Sequence, residues 1–106
     1  MLVQKEVEFL KGKKTTGAGD AVSNEQGSTL YIAVDGTFVA TVKVQGYLGG
    51  NWYDLAAVNL SSLEIAEAIE AAGLYSVAGI EACEQIRLNV TARTSGTINA
   101  IGRFCY

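Results

Sequence analysis

Histidine and proline are both missing from this 106-residue chain, and cysteine occurs only twice. Without histidine the commonest general base is gone, and so is the usual partner of a nucleophilic serine or cysteine. Two cysteines with no histidine cannot complete a zinc site. Cys83 and Cys105 are expected to be free, buried thiols, as befits a chain made in the cytoplasm. The first residues, MLVQKEVEFLKGKK, alternate charged with apolar side chains and show no signal-peptide core. No apolar run approaches the ~18 residues needed to cross a membrane as a helix. Positive charge is also scarce, with 8 Lys and Arg against 11 Asp and Glu, a net charge of −3. Nucleic-acid binders draw most of their affinity from phosphate neutralisation, so direct nucleic-acid binding is not expected. Proline being absent, turns must be read from Asn, Asp and the 12 glycines.

What is present points to a folded β domain. Hydrophobic residues make up 49% of the chain and charged residues 18%, which excludes a disordered segment. The length suits one domain with a real core. Alternation of period two recurs along it. Leu30, Ile32 and Val34 share one face, as do Phe38, Ala40, Val42 and Val44. Ile86, Leu88, Val90 and Ala92 form a third set, and Ile98, Ala100, Gly102 and Phe104 a fourth. Turn signals separate these runs. Asp35-Gly36 and Gly49-Gly50 read as hairpin connections, and Thr94-Ser95-Gly96 joins the last two long strands. The pattern predicts an all-β, antiparallel sandwich of jelly-roll type. Residues 1–14 read as an N-terminal arm or strand, and 15–106 as the sandwich body of a single domain.

Two segments resist this reading. SSLEIAEAIEAAG, residues 61–73, has helical propensity. Ser61 and Glu64 would form its capping box, and Ile65, Ala66, Ile69 and Ala72 its buried face. A short helix or an irregular segment is therefore expected at about 61–72. The stretch from Lys11 to Ser28 is long for a loop, which suggests a binding or assembly surface.

The candidate chemistry is sparse. Asp20, Asp35 and Asp54 each lie near a turn or strand end, where aspartate is ordinarily structural. Gly17-Ala18-Gly19-Asp20 lacks the remaining glycines and the lysine of a phosphate loop. Asp20, Asn24 and Glu25 offer oxygen ligands, but not at the spacing of a calcium loop. No catalytic residue, metal or cofactor is expected. The one aromatic cluster is VQGYLGGNWYDL, residues 44–55, with the only tryptophan. Tyr47, Trp52 and Tyr53 read first as core, because a lone tryptophan in a small sandwich has about 200 Å² to bury. Their second reading is a platform for a sugar ring.

The order of motifs resembles that of small virion proteins of tailed bacteriophages. The resemblance runs over roughly residues 15–103 and is carried by Gly36-Thr37-Phe38, Gly46 with Trp52, Ala71-Ala72-Gly73-Leu74-Tyr75 and Thr94-Ser95-Gly96-Thr97. It implies a β-sandwich that serves as a capsid decoration protein, fibre or tail component. It also implies strand rather than helix up to about Ile69. A decoration or cement protein would bind the major capsid protein or another virion protein and self-associate, a trimer suiting a capsid lattice. Assembled in the host cytoplasm, it would reside in the virion. Its docking contacts would be Val3, Val7, Phe9, Lys11, Lys13 and Lys14. The alternatives are a carbohydrate-binding fibre or tail module, or a tail or neck adaptor.

Overall fold

The computed structural model describes residues 4–24 and 27–105, with side chains from residue 6 onward. Val3 and Glu25 lie outside the described residues. Among the described residues eleven strands form two antiparallel sheets, and Ile80–Ala82 makes one 3₁₀ turn. The strands are β1 (Gln4–Lys13), β2 (Gly17–Ala18), β3 (Val22–Ser23), β4 (Thr29–Asp35), β5 (Phe38–Leu48), β6 (Asn51–Leu55), β7 (Ala57–Asn59), β8 (Glu64–Ala66), β9 (Gly73–Ala78), β10 (Gln85–Gly96) and β11 (Ile98–Cys105). The six-stranded sheet runs β1-β11-β4-β9-β7-β8. The other runs β2-β10-β5-β6, with β3 also paired to β10.

The sandwich follows from the alternation. Leu30, Ile32, Val34, Val42, Val44, Ile86, Leu88, Val90, Ile98, Ala100 and Phe104 are all buried between the sheets. Ala92 is exposed, contrary to its parity. The pairing jumps from Val90 opposite Val42 to Ala92 opposite Thr41. Thr91 is thus a β-bulge that turns Ala92 to the other face, and a second register shift follows between Arg93 and Ser95.

The expected hairpin at Asp35-Gly36 is a corner instead, and so is the connection at Thr94-Ser95-Gly96. β4 and β5 belong to different sheets, and so do β10 and β11. The chain therefore crosses between sheets at Gly36 and again at Gly96. Both glycines have positive φ, 110° and 94°. The crossings lie side by side, joined by the Thr97 N–H donating to the Thr37 carbonyl at 3.1 Å. A Cβ at Gly96 would stand 2.1 Å from the Thr37 carbonyl oxygen, and one at Gly36 2.3 Å from that of Thr97. A turn signal of Asp-Gly or Ser-Gly marks positive φ, and a corner needs that as much as a hairpin does. Gly49-Gly50 is a hairpin as read, with φ of 62° and 89°.

Residues 61–72 form no helix. Asn59 opens a tight turn instead. Its side chain accepts from the Ser61 N–H at 2.9 Å, and its carbonyl accepts from the Leu63 N–H at 2.6 Å. Leu63 sits at φ 62°, and the chain returns as β8. Ser62, not Ser61, approaches the Glu64 N–H, at 3.4 Å, so the capping box does not form. Ile65 is 75% exposed, and of the expected helix face only Ile69 is buried. Tertiary pairing outweighs helix propensity here. Ile69 exchanges backbone hydrogen bonds with Val42 at 2.7 and 2.9 Å, extending the edge of β5 beyond β6.

From Gln4 onward the N-terminal segment is part of the sandwich. β1 pairs with β11 along its length. The register jumps from Glu8 opposite Ile101 to Leu10 opposite Ala100, so Phe9 is an extra residue. That bulge lets Phe9 and Leu10, adjacent in sequence, both point into the core at 3% exposure.

Within the stretch from Lys11 to Ser28, β2 and β3 both pair with β10. Asn24 anchors the stretch. The side-chain amide nitrogen donates to the carbonyls of Ile80 at 2.7 Å, Gly27 at 3.2 Å and Cys83 at 3.2 Å. Its oxygen accepts from the Gly27 N–H at 2.9 Å. Asn24 is thus a cross-link between loops.

Candidate functional site

Two surfaces stand out, one on the outer face of each sheet. The first is built from β5, β6 and β10. A two-residue turn pairs Leu48 with Asn51 and hence Tyr47 with Trp52, Gln45 with Asp54 and Val44 with Leu55. Val44 points inward, so Tyr47, Gln45 and Lys43 point outward, and Trp52 and Asp54 join them. Arg87 lies opposite Gln45 on β10 and shares this face.

These side chains interlock. The Tyr47 and Trp52 rings lie 5.1 Å apart at 55°. The Arg87 guanidinium sits 4.0 Å over the Trp52 ring, and its Nε donates to Gln45 Oε1 at 2.8 Å. Gln45 Nε2 in turn donates to Asp54 Oδ1 at 2.8 Å. Lys43 Nζ reaches Asp54 Oδ2 at 3.5 Å. The Gln45 hydrogen bond, with help from the Lys43 charge, holds the Asp54 carboxyl below its ordinary value. At the end of this ladder an open pocket of about 300 Å³ is lined by Lys43, Asp54, Leu55, Ala56 and Glu67.

Trp52 is therefore not a core residue, and the first reading of the aromatic cluster is corrected. It is half-buried on the outer face of an edge strand. Tyr47 is half-buried beside it. Tyr53 has the opposite parity, across from Gly46, and is 54% exposed at the sheet margin. It does not join the other two. Gly46 leaves room for Cys83, whose Sγ lies 2.4 Å from where a Cβ would be. Burial pushes the Cys83 thiol up, which disfavours the nucleophilic thiolate. Cys83 and Cys105 are both free, but half-buried rather than buried as expected.

The second surface is the outer face of the six-stranded sheet. Register aligns Ile101, Ala33 and Leu74 in one row and Arg103, Tyr31, Ser76, Val58 and Ile65 in the next. Ile101 and Leu74 are each 45% exposed and Tyr31 38%. The β7–β8 turn extends the band with Leu63, 75% exposed. A contiguous apolar band on a sheet face, unlike scattered single residues, marks an interaction surface. At one end Arg103 pairs with Glu6 at 3.2 Å.

The residues expected to dock lie mostly elsewhere. Phe9 is core, and Val7 is half-buried and packs against it. Lys11 and Lys14 are exposed and Lys13 half-buried, at or just beyond the end of β1. The apolar band was missed, although its signal was present. Tyr31 and Ile101 interrupt the polar parity of their strands, which makes both faces partly apolar.

Among the described residues no group of three Cys, Asp or Glu side chains is placed to hold a metal ion. No protein-family model matches the sequence, and no curated protein sequence matches it. Two solved structures share the fold. The SPBc2 prophage-derived protein YomS matches with a TM-score of 0.88 at 13% identity, over 100% of this chain and 96% of that one. The PBSX exported protein XepA matches with a TM-score of 0.91 at 18% identity, over 99% of this chain. This chain spans only 38% of the XepA chain, so it corresponds to one part of a larger protein there. At these identities the likeness is one of fold.

Proposed function

We propose that this chain is a non-enzymatic structural protein of a bacteriophage particle, a decoration or cement protein that binds the head surface and self-associates. The observation that carries the reading is the end-to-end match of its fold to a prophage-derived protein, covering 100% of one chain and 96% of the other. The lack of histidine and the raised Cys83 thiol support a role without catalysis. The apolar band on the six-stranded sheet supplies a surface for assembly. Specific interfaces bury about 800 Å² per partner, with a hydrophobic centre and a polar rim. Leu74, Ile101 and Tyr31 would form the centre, with Glu6 and Arg103 on the rim.

This assigns docking to a face rather than to the N-terminal arm. Deleting residues 1–14 would remove Phe9 and Leu10 from the core, so lost particle binding after that deletion would report unfolding. The informative variant is the Leu74→Asp, Ile101→Asp pair, which leaves the core untouched. Purified protein is added to particles of the encoding phage that lack it, and occupancy is read by mass spectrometry and immunogold labelling. The wild type should decorate heads and sediment as an oligomer, and the double variant should do neither. A wild type that stays monomeric and leaves particles bare overturns the proposal. Label confined to the tail or neck would replace the head station with an adaptor role.

A further inference from the structure

The outer face of the five-stranded sheet has no part in that assembly reading, yet it is more organised than a solvated surface requires. It places the only tryptophan under an arginine and beside a tyrosine. A chain of polar contacts then leads from Arg87 through Gln45 and Asp54 to Lys43. Trp52 and Asp54 are two residues apart on one strand face, roughly 7 Å at about 3.4 Å per residue. The pocket lined by Lys43, Asp54 and Glu67 begins there.

This arrangement matches the two chemical characters of a sugar. A pyranose has an apolar face of C–H bonds, which an aromatic surface covers, and a rim of hydroxyls that both donate and accept. Asp54 and Glu67 are acceptors, and Lys43 is a donor. Leu55 and Ala56 give the pocket apolar walls, and its volume of about 300 Å³ lies at the lower end for small-molecule sites. The internal contacts hold Trp52, Arg87 and Asp54 in place before any ligand arrives, which lowers the ordering cost of binding. A nucleic acid fits less well, because Asp54 and Glu67 put two negative charges in the pocket beside the one Lys43 cation.

We propose that this face is a saccharide-binding strip, in which the Tyr47–Trp52–Arg87 cluster takes the apolar face of one sugar ring and the Lys43–Asp54–Glu67 pocket takes the hydroxyls of the next. The site does not depend on the phage assignment, and its test is independent of particle binding.

Because Trp52 is the only tryptophan, intrinsic fluorescence reports on the site directly. The full chain is titrated with cellotriose, maltotriose, chitotriose and the deacetylated form of chitotriose. At least one should give a saturable change in Trp52 emission. Calorimetry with that sugar then compares variants. Trp52→Ala should weaken binding by more than about tenfold. Asp54→Asn keeps the shape of the site and should weaken binding by about tenfold through its lost charge. Tyr53→Ala, of opposite parity, should stay within about twofold. Circular dichroism checks that each variant is folded. No response to any of the four sugars up to about 10 mM overturns the proposal, since weaker binding is not a specific site. So does binding that survives both Trp52→Ala and Asp54→Asn.

Discussion

Gly102→Ala tests the packing that makes β1 part of the fold. Gly102 lies in mid-β11 and pairs with Val7 on one side and Ile32 on the other. Its backbone is outside the positive-φ region, so alanine brings no backbone strain. The less flexible unfolded chain adds about 0.4–1 kcal/mol of stability, and the opposing effect is steric. The new Cβ would stand 2.2 Å from Phe9 Cε2, 2.9 Å from Phe9 Cδ2 and 3.1 Å from Leu30 Cδ1. Ordinary contact begins near 3.4 Å, so the Phe9 ring must move by more than 1 Å. It has little freedom to do so. The ring is 3% exposed, and the Phe104 ring lies 6.3 Å away. Overpacking of this kind costs about 1–3 kcal/mol, out of a total stability of roughly 5–15 kcal/mol for a domain of this size. Each kcal/mol lowers Tm by about 4–8 °C near this length.

The assay is urea and thermal unfolding followed by circular dichroism. A second variant makes the reasoning specific. Phe9→Leu alone should cost about 1–3 kcal/mol through its lost burial. Combined with Gly102→Ala it should cost less than the sum, because the smaller side chain leaves room for the new methyl group. A Gly102→Ala protein more stable than wild type would refute the steric argument. Strict additivity in the double variant would refute the pairing of Gly102 with Phe9.

Three further outcomes follow from single residues. Asn24→Ala should destabilise the protein by about 2–3 kcal/mol, because it removes the contacts to Ile80, Gly27 and Cys83 from a partly buried site; limited proteolysis should then cut first between residues 11 and 28. Leu63→Asn should raise stability by about 1 kcal/mol, since asparagine tolerates the φ of 62° that leucine adopts at a cost; an unchanged melting curve would count against strain at that turn. Asp54 has a lowered folded-state pKa, so its contribution is present above its ordinary value of 3.8 and fades as pH falls through the folded value. Wild type should therefore lose stability relative to Asp54→Asn only in that acid range. A difference between the two that is constant with pH would contradict this sign.

The core was legible because burial repeats every second residue, and a strand either keeps that parity or shows a bulge. The bulges themselves were not legible. Thr91 looks like any alternating threonine, and only the register against β5 reveals that it is the extra residue. The corners at Gly36 and Gly96 were hidden for a related reason. Positive φ is a local property that glycine announces, whereas the sheet each flanking strand joins is set by partners elsewhere in the chain. Helical propensity misled at 61–73 because alanine and glutamate record a preference of about half a kcal/mol per residue. The paired backbone of Ile69 and Val42, in a segment anchored by Asn59, outweighs it.

The aromatic site is a different case, since its orientation could be counted without any partner strand. If Val44 faces the core, Gly46 does too, and Tyr47 faces outward. A two-residue turn at Gly49-Gly50 then forces residue 47 to oppose residue 52, so Trp52 must share the outer face with Tyr47. The expectation of a buried tryptophan came from its size, and size does not decide facing. Parity and turn length decide it, and they also separate Tyr53 from its neighbour. Gly46 completes the logic. An inward position with no side chain leaves space that Cys83 fills from the other side. The hairpin therefore needs no large aromatic in the core, and its tryptophan is left outside on a surface with polar groups arranged around it.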